Sequence, residues 1–194
     1  MLSDPTRRDR INSFALVTYI PEPLAGFLNR LREELVPSSN LQSHVTILPP
    51  RLLLVKPEEA WRHICELAPA VPAFDVELTE VRVFTSSGVI YIDIGGGNDR
   101  IREMHAVFNS GILESAEMFE FCPHVTLAQG IVAGEAEALV ERAKRRWAEY
   151  PHRHGFRVNS VTFVQNTAGN TWIDLARCQL GTGEMKLLEP MAVK

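Results

Sequence analysis

The chain has 194 residues, of which 45% are hydrophobic and 23% charged, a composition typical of a soluble globular protein with one domain or two small lobes. A formal net charge of -4 at pH 7 argues against a generic polyanion binder, because non-specific nucleic-acid binding needs dense positive charge. No run approaches the roughly 20 apolar residues that cross a bilayer. The segment from Met1 to Arg10 is polar and carries no hydrophobic signal core, so we expect a cytoplasmic protein with no membrane contact.

The elements of the first half follow from hydrophobic spacing and turn residues. A strand rich in aromatic and β-branched residues is predicted over 14–20. Apolar residues at helical spacing predict helices over 24–35 and 57–68. Further strands are predicted around 44–47, ended by the Pro-Pro pair that follows, and over 74–84.

The second half repeats this order of elements. Its predicted elements are a strand over 89–94, a helix beginning near Asn98, a strand around 124–127, a helix over 135–149, and strands over 157–165 and 171–180. The predicted buried face of the helix after Asn98 consists of Ile101, Met104, His105, Phe108 and Ile112.

The repeated order predicts a duplicated fold. Each half reads strand, helix, His-x-Thr strand, helix, strand, and the tripeptide His-Val-Thr occurs at equivalent places, 44–46 and 124–126. We therefore predict a single α+β domain over 1–194. It is expected to be bilobal, with repeats of about 11–85 and 88–180 each forming an antiparallel-sheet lobe with two helices. A pseudo-twofold axis would relate the lobes around a central cleft.

The two His-x-Thr strands would present matching side chains to that cleft. Strand side chains alternate between faces with a period of two, so His44 and Thr46 point one way while Val45 and Ile47 point towards covering helices. The motif at 124–126 has the same alternation. If the halves face each other, two imidazoles and two hydroxyls converge.

Such a set suits the chemistry of phosphodiesters. Histidine titrates near neutrality, so one imidazole can accept a proton while the other donates one. In-line displacement at phosphorus needs a base beside the entering oxygen and an acid beside the leaving oxygen. The threonine hydroxyls can donate to the non-bridging oxygens, whose charge must be stabilised in the transition state.

The segments His44-Val45-Thr46-Ile47 and His124-Val125-Thr126-Leu127 resemble the paired HxTx motifs of the 2H phosphoesterase superfamily. The chain is most similar to the branch of bacterial RNA 2',3'-cyclic phosphodiesterases and 2'-5' RNA ligases, the LigT-like proteins. The resemblance covers roughly residues 11 to 180. One departure is Gln129, which stands where members close to the ligase type often carry arginine.

The resemblance implies a bilobal α+β fold with a central cleft and catalysis without a metal or another cofactor. It makes His44 and His124 the acid/base pair, and Thr46 and Thr126 the ligands of the substrate phosphate. The implied reaction, part of RNA processing, opens terminal 2',3'-cyclic phosphates of RNA or nucleotides to 2'-phosphates, with 2'-5' RNA ligation as a related activity.

Two alternatives stay open at the level of the sequence. One is the same chemistry on a small cyclic nucleotide or on a cyclic phosphate of ADP-ribose. The other is a non-catalytic module that binds RNA ends. The expected partner is an RNA 3' end or a small nucleotide that carries a cyclic phosphate, and the protein is expected to be a monomer.

Several other features favour structural roles. His105 is predicted to be a hydrogen-bonded core residue, and the glycines at 95–97 a flexible connection, because they lack the spacing of a nucleotide-binding loop. The basic residues at 142–146 are predicted to form a solvated helix face. His152 and His154 have no further metal ligands in the surrounding sequence.

Four further side chains and the cysteines complete the sequence predictions. Core packing is predicted for Tyr19, Tyr91 and Trp172, although each could stack on a base if it faced the cleft. Arg51 could place a cation at the mouth of the cleft. The three cysteines are far apart and fit no CxxC spacing, which predicts reduced thiols without a disulfide framework or a structural zinc site.

Overall fold

The computed structural model describes residues 9–37, 42–117, 119–131 and 134–191. Its strands are β1 Arg10–Tyr19, β2 His44–Arg51, β3 Phe74–Val83, β4 Ile90–Ile94, β5 His124–Ala128, β6 Gly155–Val158, β7 Ser160–Thr167, β8 Trp172–Gln179 and β9 Met185–Leu187. Its helices are α1 Leu24–Leu35, α2 Pro57–Leu67, α3 Asn98–Phe108 and α4 Ala136–Ala148. None of these helices is long and apolar enough to cross a membrane.

Two antiparallel sheets form the two lobes. The first sheet has the strand order β2-β1-β7-β8-β9 and the second has the order β5-β4-β3-β6. Helices α2 and α3 pack against the first sheet, while α1 and α4 pack against the second. The predicted bilobal α+β architecture, with two helices for each sheet, is therefore confirmed.

The lobes do not coincide with the sequence repeats, so the prediction that each repeat forms its own lobe was wrong. Strand β3 belongs to the first repeat but lies in the second sheet, between β4 and β6. Strand β7 belongs to the second repeat but lies in the first sheet, between β1 and β8. Because each repeat contributes a strand to the other lobe, the two lobes are tied together through their sheets.

The strand predicted over 157–165 is in fact two strands in different sheets. Val158, at the end of β6, pairs with Phe74 in the second sheet. Ser160, at the start of β7, pairs with Gln179 in the first sheet. The chain changes sheets at the exposed Asn159 between them. The sequence does not reveal this change of sheet, because both strands are rich in Val and Phe, residue types that β-strands favour in general.

Strand β2 continues through Pro49 and Pro50 to Arg51, so the prediction that the prolines end it was wrong. Proline lacks the N–H that a ladder requires, and it is tolerated at sheet edges and at bulges. Both conditions hold here, since β2 is an edge strand of the first sheet and its register with β1 is irregular in this region.

Helix α3 is shorter than its predicted apolar face. It ends at Phe108, and Ile112 lies in a separate turn of 3-10 helix over Gly111–Leu113 with 46% of its surface exposed. The prediction of a buried Ile112 was therefore wrong. Ile101, Met104 and Phe108 are buried as predicted.

The glycines at 95–97 form a packed connection between β4 and α3. Gly97 has φ +85°, and a Cβ added there would lie 2.5 Å from the backbone oxygen of Asp75 on β3. Gly88 also has a positive φ, +69°, but a Cβ there would meet no atom within 4 Å. Close approach of two backbones, as well as the left-handed conformation, thus requires glycine at 97.

We expect Gly97→Ala to destabilise the fold by about 3 kcal/mol and Gly88→Ala by about 1 kcal/mol. Both variants carry the cost of a left-handed non-glycine residue, roughly 1–2 kcal/mol, but only the first also displaces the β3 backbone. Urea unfolding followed by circular dichroism measures both losses. Equal losses in the two variants would contradict the close packing of Gly97.

Candidate active site

The two His-x-Thr strands are edge strands that lie against each other. β2 is at one end of the first sheet and β5 is at one end of the second, and the two are in contact where the lobes meet. The charge of His124 also lowers the pKa of His44, in line with two imidazoles on contacting strands. The structure therefore brings the two predicted histidines together.

The alternation along both strands is as predicted. Val45 and Ile47 of β2 are fully buried, and the equivalent Val125 and Leu127 of β5 are at most 1% exposed. The histidines and threonines of both motifs are half-buried on the opposite face. All four aliphatic side chains belong to one core cluster that spans both sheets, so the core fixes the direction in which the histidines point.

Each histidine is held by the same backbone contact. His44 Nδ1 lies 2.7 Å from the carbonyl oxygen of Gln42, and His124 Nδ1 lies 2.8 Å from that of Cys122. A carbonyl oxygen can only accept, so each Nδ1 carries the hydrogen and donates it. In the neutral rings the free lone pair is then on Nε2, and it is available for proton transfer in both lobes.

The residue before His44 anchors it to helix α1. Ser43 is fully buried, and both its backbone N–H and its hydroxyl donate to Oδ1 of Asn29, at 2.8 and 2.7 Å. This contact fixes the start of β2 against α1. The sequence motif does not reveal it, because Asn29 lies in a helix with no sequence signal linking it to the motif.

Aromatic rings pack edge-on against both imidazoles. Tyr19 meets His44 with ring centroids 6.2 Å apart and an interplanar angle of 85°. Tyr91 and Phe84 meet His124 at 5.3 and 5.0 Å and stack on each other at 4.0 Å. These rings pack against the imidazoles and cover part of their surface.

Tyr91 is buried, with 7% of its surface exposed, as predicted, and it also contacts His124. Tyr19 is half-buried beside His44, so the prediction of core packing was wrong for Tyr19. Tyr19 and Trp172 pack with a small second apolar cluster, formed by Ala15, Val17 and Val164, that is separate from the main core. Because Tyr19 is the cross-strand partner of His44, this cluster lies on the histidine face of the first sheet.

Opposite charges flank the two histidines. Asp93 is the cross-strand partner of His124, and it raises the pKa of that histidine. Arg32 acts on His44 in the other direction and lowers its pKa, more strongly than Asp174 raises it. For both histidines the largest effect is burial, which disfavours the charged ring and lowers the pKa below the ordinary 6.5.

Arg32 is a buried cation that sequence reasoning missed. It lies on α1, is 4% exposed, and donates from Nη1 to the carbonyl oxygen of Thr126 at 3.0 Å. It thus joins α1 to β5 while its charge acts on His44 of β2. Nothing in the helical sequence around it distinguishes it from an exposed arginine.

The other candidates have structural contacts. Arg51 donates to Oδ1 of Asn109 at 2.6 Å and to the carbonyl of Leu113 at 2.7 Å, so its guanidinium holds a loop in place and is not directed at the histidines. His105 donates from Nδ1 to the carbonyl of Ile47 at 2.7 Å, which confirms its role as a hydrogen-bonded residue. Gln129 is exposed.

The basic face of α4 is neutralised by acidic neighbours. Arg146 pairs with Glu34 at 2.8 Å and with Glu149 at 2.5 Å, and Lys144 pairs with Glu141 at 2.9 Å. These exposed ion pairs confirm a solvated helix face. In the part of the chain that the structure describes, no group of three or more His, Cys, Asp or Glu side chains is arranged to hold a metal ion.

Comparison with known proteins identifies the family of the chain. The model of the 2'-5' RNA ligase superfamily matches residues 20–170. The chain belongs to the 2'-5' RNA ligase superfamily. Among individual proteins, it is similar to one of Geobacillus kaustophilus that is named as a candidate phosphoesterase. The two are 24% identical over 140 residues, which is 68% of this chain and 77% of the relative.

Solved structures share the fold of this superfamily member. E. coli LigT in its apo form aligns with a TM-score of 0.58 and 15% identity, over 89% of this chain and 97% of LigT. Usb1 of Kluyveromyces marxianus aligns with a TM-score of 0.54 and 12% identity, over 84% of this chain and 97% of Usb1. LigT has also been crystallised with 3'-AMP.

NMR of the histidine rings tests the site geometry without any substrate. We expect His44 and His124 to be Nδ1–H tautomers when neutral, because each Nδ1 donates to a carbonyl, and to titrate below pH 6.5, because burial disfavours the charged form. Long-range proton–nitrogen correlation spectra across a pH series measure both properties, with resonances assigned from His→Gln variants. An Nε2–H ring, or a midpoint above 6.5, contradicts this geometry.

Proposed function

We propose that the protein is a metal-independent phosphodiesterase that opens terminal 2',3'-cyclic phosphates of RNA or nucleotides to 2'-phosphates. The observation that carries this proposal is the pair of imidazoles on adjoining edge strands, both held through Nδ1 so that both Nε2 atoms are free for proton transfer. Membership of the 2'-5' RNA ligase superfamily supports phosphoester chemistry. The same pair would also serve the formation or cleavage of 2'-5' linkages.

The proposed reaction is an in-line displacement at phosphorus. Water attacks the phosphorus as its proton passes to one imidazole, and the bond from phosphorus to the 3'-oxygen breaks as the second imidazole protonates that oxygen. The products are a 2'-phosphate and a free 3'-hydroxyl. The enzyme ends with its two histidines in exchanged protonation states, and solvent restores them.

We assign the base to His44 and the acid to His124. Arg32 disfavours a proton on His44, while Asp93, directly across the β4–β5 ladder, favours one on His124. Asp93 is itself paired with Arg82 at 3.1 Å, which reduces its effect without removing it. A proton on His124 also disfavours one on His44, so the two imidazoles are not expected to be protonated together.

The threonines complete the proposed site. Thr46 and Thr126 lie on the same faces as the histidines two residues before them and are half-buried in the same way. Their hydroxyls are the donors we assign to the non-bridging phosphate oxygens. Such donors stabilise charge that grows in the transition state.

The purified protein is expected to open 2',3'-cyclic AMP and RNA with a cyclic end in the presence of EDTA. His44→Ala and His124→Ala should each lower the rate by about a hundredfold or more, the usual contribution of a general acid or base. His152→Ala is the matched control, because His152 is exposed in a loop. Phosphorus NMR follows formation of the 2'-phosphate.

Two results would contradict the proposed function. Full activity in either of the two alanine variants would remove the two-histidine mechanism. Loss of wild-type activity on chelation, with recovery when a divalent cation is added back, would remove the claim of metal independence.

The division of roles predicts different responses to an activated leaving group. A p-nitrophenyl phosphodiester releases a weakly basic phenolate that needs no protonation, so the general acid becomes dispensable. On bis-p-nitrophenyl phosphate, His124→Ala should therefore keep most of the wild-type rate, and His44→Ala should lose about a hundredfold. Absorbance of released nitrophenolate measures both. The reverse pattern would exchange the two roles.

A further inference from the structure

A row of paired residues that includes Thr46, Thr162 and Arg177 crosses the first sheet on the histidine face. Val17 of β1 pairs with Thr46 on one side and with Thr162 of β7 on the other. Thr162 in turn pairs with Arg177 of β8. Directly paired residues of an antiparallel sheet point to the same face, so Thr162 and Arg177 lie on the face that carries His44 and Thr46.

Arg177 is a half-buried cation that the proposed mechanism does not use. Its Nε donates to Oγ1 of Thr162 at 3.3 Å, and its charge acts on the hydroxyl of Tyr19. Within the described residues no carboxylate lies within ion-pair distance of Arg177, whereas seven other arginines are paired in this way. Its other guanidinium donors have no hydrogen-bond partner among those residues.

The neighbouring carboxylate is held by another group. Asp174 is the cross-strand partner of Val164 on the same face, and its Oδ1 accepts the Tyr19 hydroxyl at 2.5 Å. Burial and this hydrogen bond raise the pKa of Tyr19, so the phenol keeps its proton and continues to donate. The contact ties Tyr19, which packs on His44, to β8 beside Arg177.

The spacing places Arg177 beyond the reacting phosphate but within reach of the next one. Thr46 and Arg177 are three strand spacings apart, about 14 Å along a flat sheet, and the curl of the sheet and the long arginine side chain shorten this gap. The backbone of Arg177 is therefore well separated from a phosphate held at the His-x-Thr motifs. The gap that remains suits one nucleoside.

We propose that Arg177, held by Thr162, binds a second phosphate of the substrate, the one on the 5' side of the nucleotide that carries the cyclic phosphate. The planar guanidinium fork matches phosphate oxygens. The buried Thr162, 1% exposed, accepts from Nε of Arg177 and so orients the guanidinium. Tyr19, between this pair and His44, then lies under the nucleoside. This subsite rests on the proposed function, because it takes the cyclic phosphate to be at His44 and His124.

The test compares adenosine 2',3'-cyclic phosphate with the same compound carrying a 5'-phosphate. We expect wild type to prefer the 5'-phosphorylated compound in kcat/KM by about tenfold to a hundredfold, the range of one charge-assisted contact. Arg177→Gln should abolish this preference by lowering kcat/KM for the 5'-phosphorylated compound to the value for the unphosphorylated one. Arg153→Gln, at an exposed loop arginine, makes the same charge change away from the site and should behave as wild type.

A dinucleotide with a cyclic end identifies the source of the second phosphate. If its diester gives the same Arg177-dependent preference, the occupant is the end of an RNA strand. If only the 5'-monoester does, the occupant is a small nucleotide. Absence of any wild-type preference, or an equal fall for both mononucleotides in Arg177→Gln, overturns the subsite. The subsite is also overturned if Arg177→Gln changes only the preference between guanosine and adenosine 2',3'-cyclic phosphates, because Arg177 would then contact the base.

A binding measurement separates failure of this subsite from failure of the proposed function. Calorimetry with adenosine 2'-phosphate and adenosine 2',5'-bisphosphate requires no turnover. Wild type should bind the bisphosphate at least about tenfold more tightly, and Arg177→Gln should bind the two alike. Equal binding by wild type overturns the subsite. If neither cyclic compound is opened while the binding difference is present, the proposed reaction fails and the phosphate site stands.

Discussion

The candidate site depends on the two-residue alternation of two edge strands. On β2 and β5 the residues that alternate with the histidine and the threonine of each motif are aliphatic and fully or almost fully buried. A shift of either strand by one residue would turn its histidine and threonine into the core and its aliphatic residues onto the opposite, half-buried face. The free energy of burying four aliphatic side chains, about 1.5–3 kcal/mol for each, therefore also holds the polar face in place.

Exchange of strands between the repeats keeps the two polar faces in a fixed relation. β3 and β7 each lie in the sheet of the other repeat, and one buried cluster runs through both sheets. Arg32 adds a polar link, because it reaches from α1 to the backbone of Thr126 while its charge acts on His44. Proton transfer between two groups and one phosphate requires such fixed geometry.

The sequence was sufficient for the parts of the fold that depend on local periodicity. The alternation at 44–47 and 124–127 predicted which side chains are buried, and the repeat of element order predicted two lobes. It could not predict the exchange of β3 and β7, because strand pairing depends on distant partners. The end of β2 was missed for a related reason, since Pro49 and Pro50 are allowed only because that strand is at an edge.

Side chains that support the histidines were harder to predict than the histidines themselves. Asn29 and Arg32 come from a helix whose polar residues look solvent-exposed in sequence, yet they contact Ser43 and Thr126. Tyr19 was assigned to the core because aromatic residues in strands usually pack there. Only the register with β2, which places it opposite His44, shows that it belongs to the site.

A crystal structure with adenosine 2'-phosphate, the product of the proposed reaction, tests the central claim most directly. The account predicts the phosphate between the two imidazoles, with oxygens about 3 Å from Nε2 of His44 and Nε2 of His124. The hydroxyls of Thr46 and Thr126 should donate to the remaining oxygens. A phosphate bound out of reach of either imidazole would contradict the account.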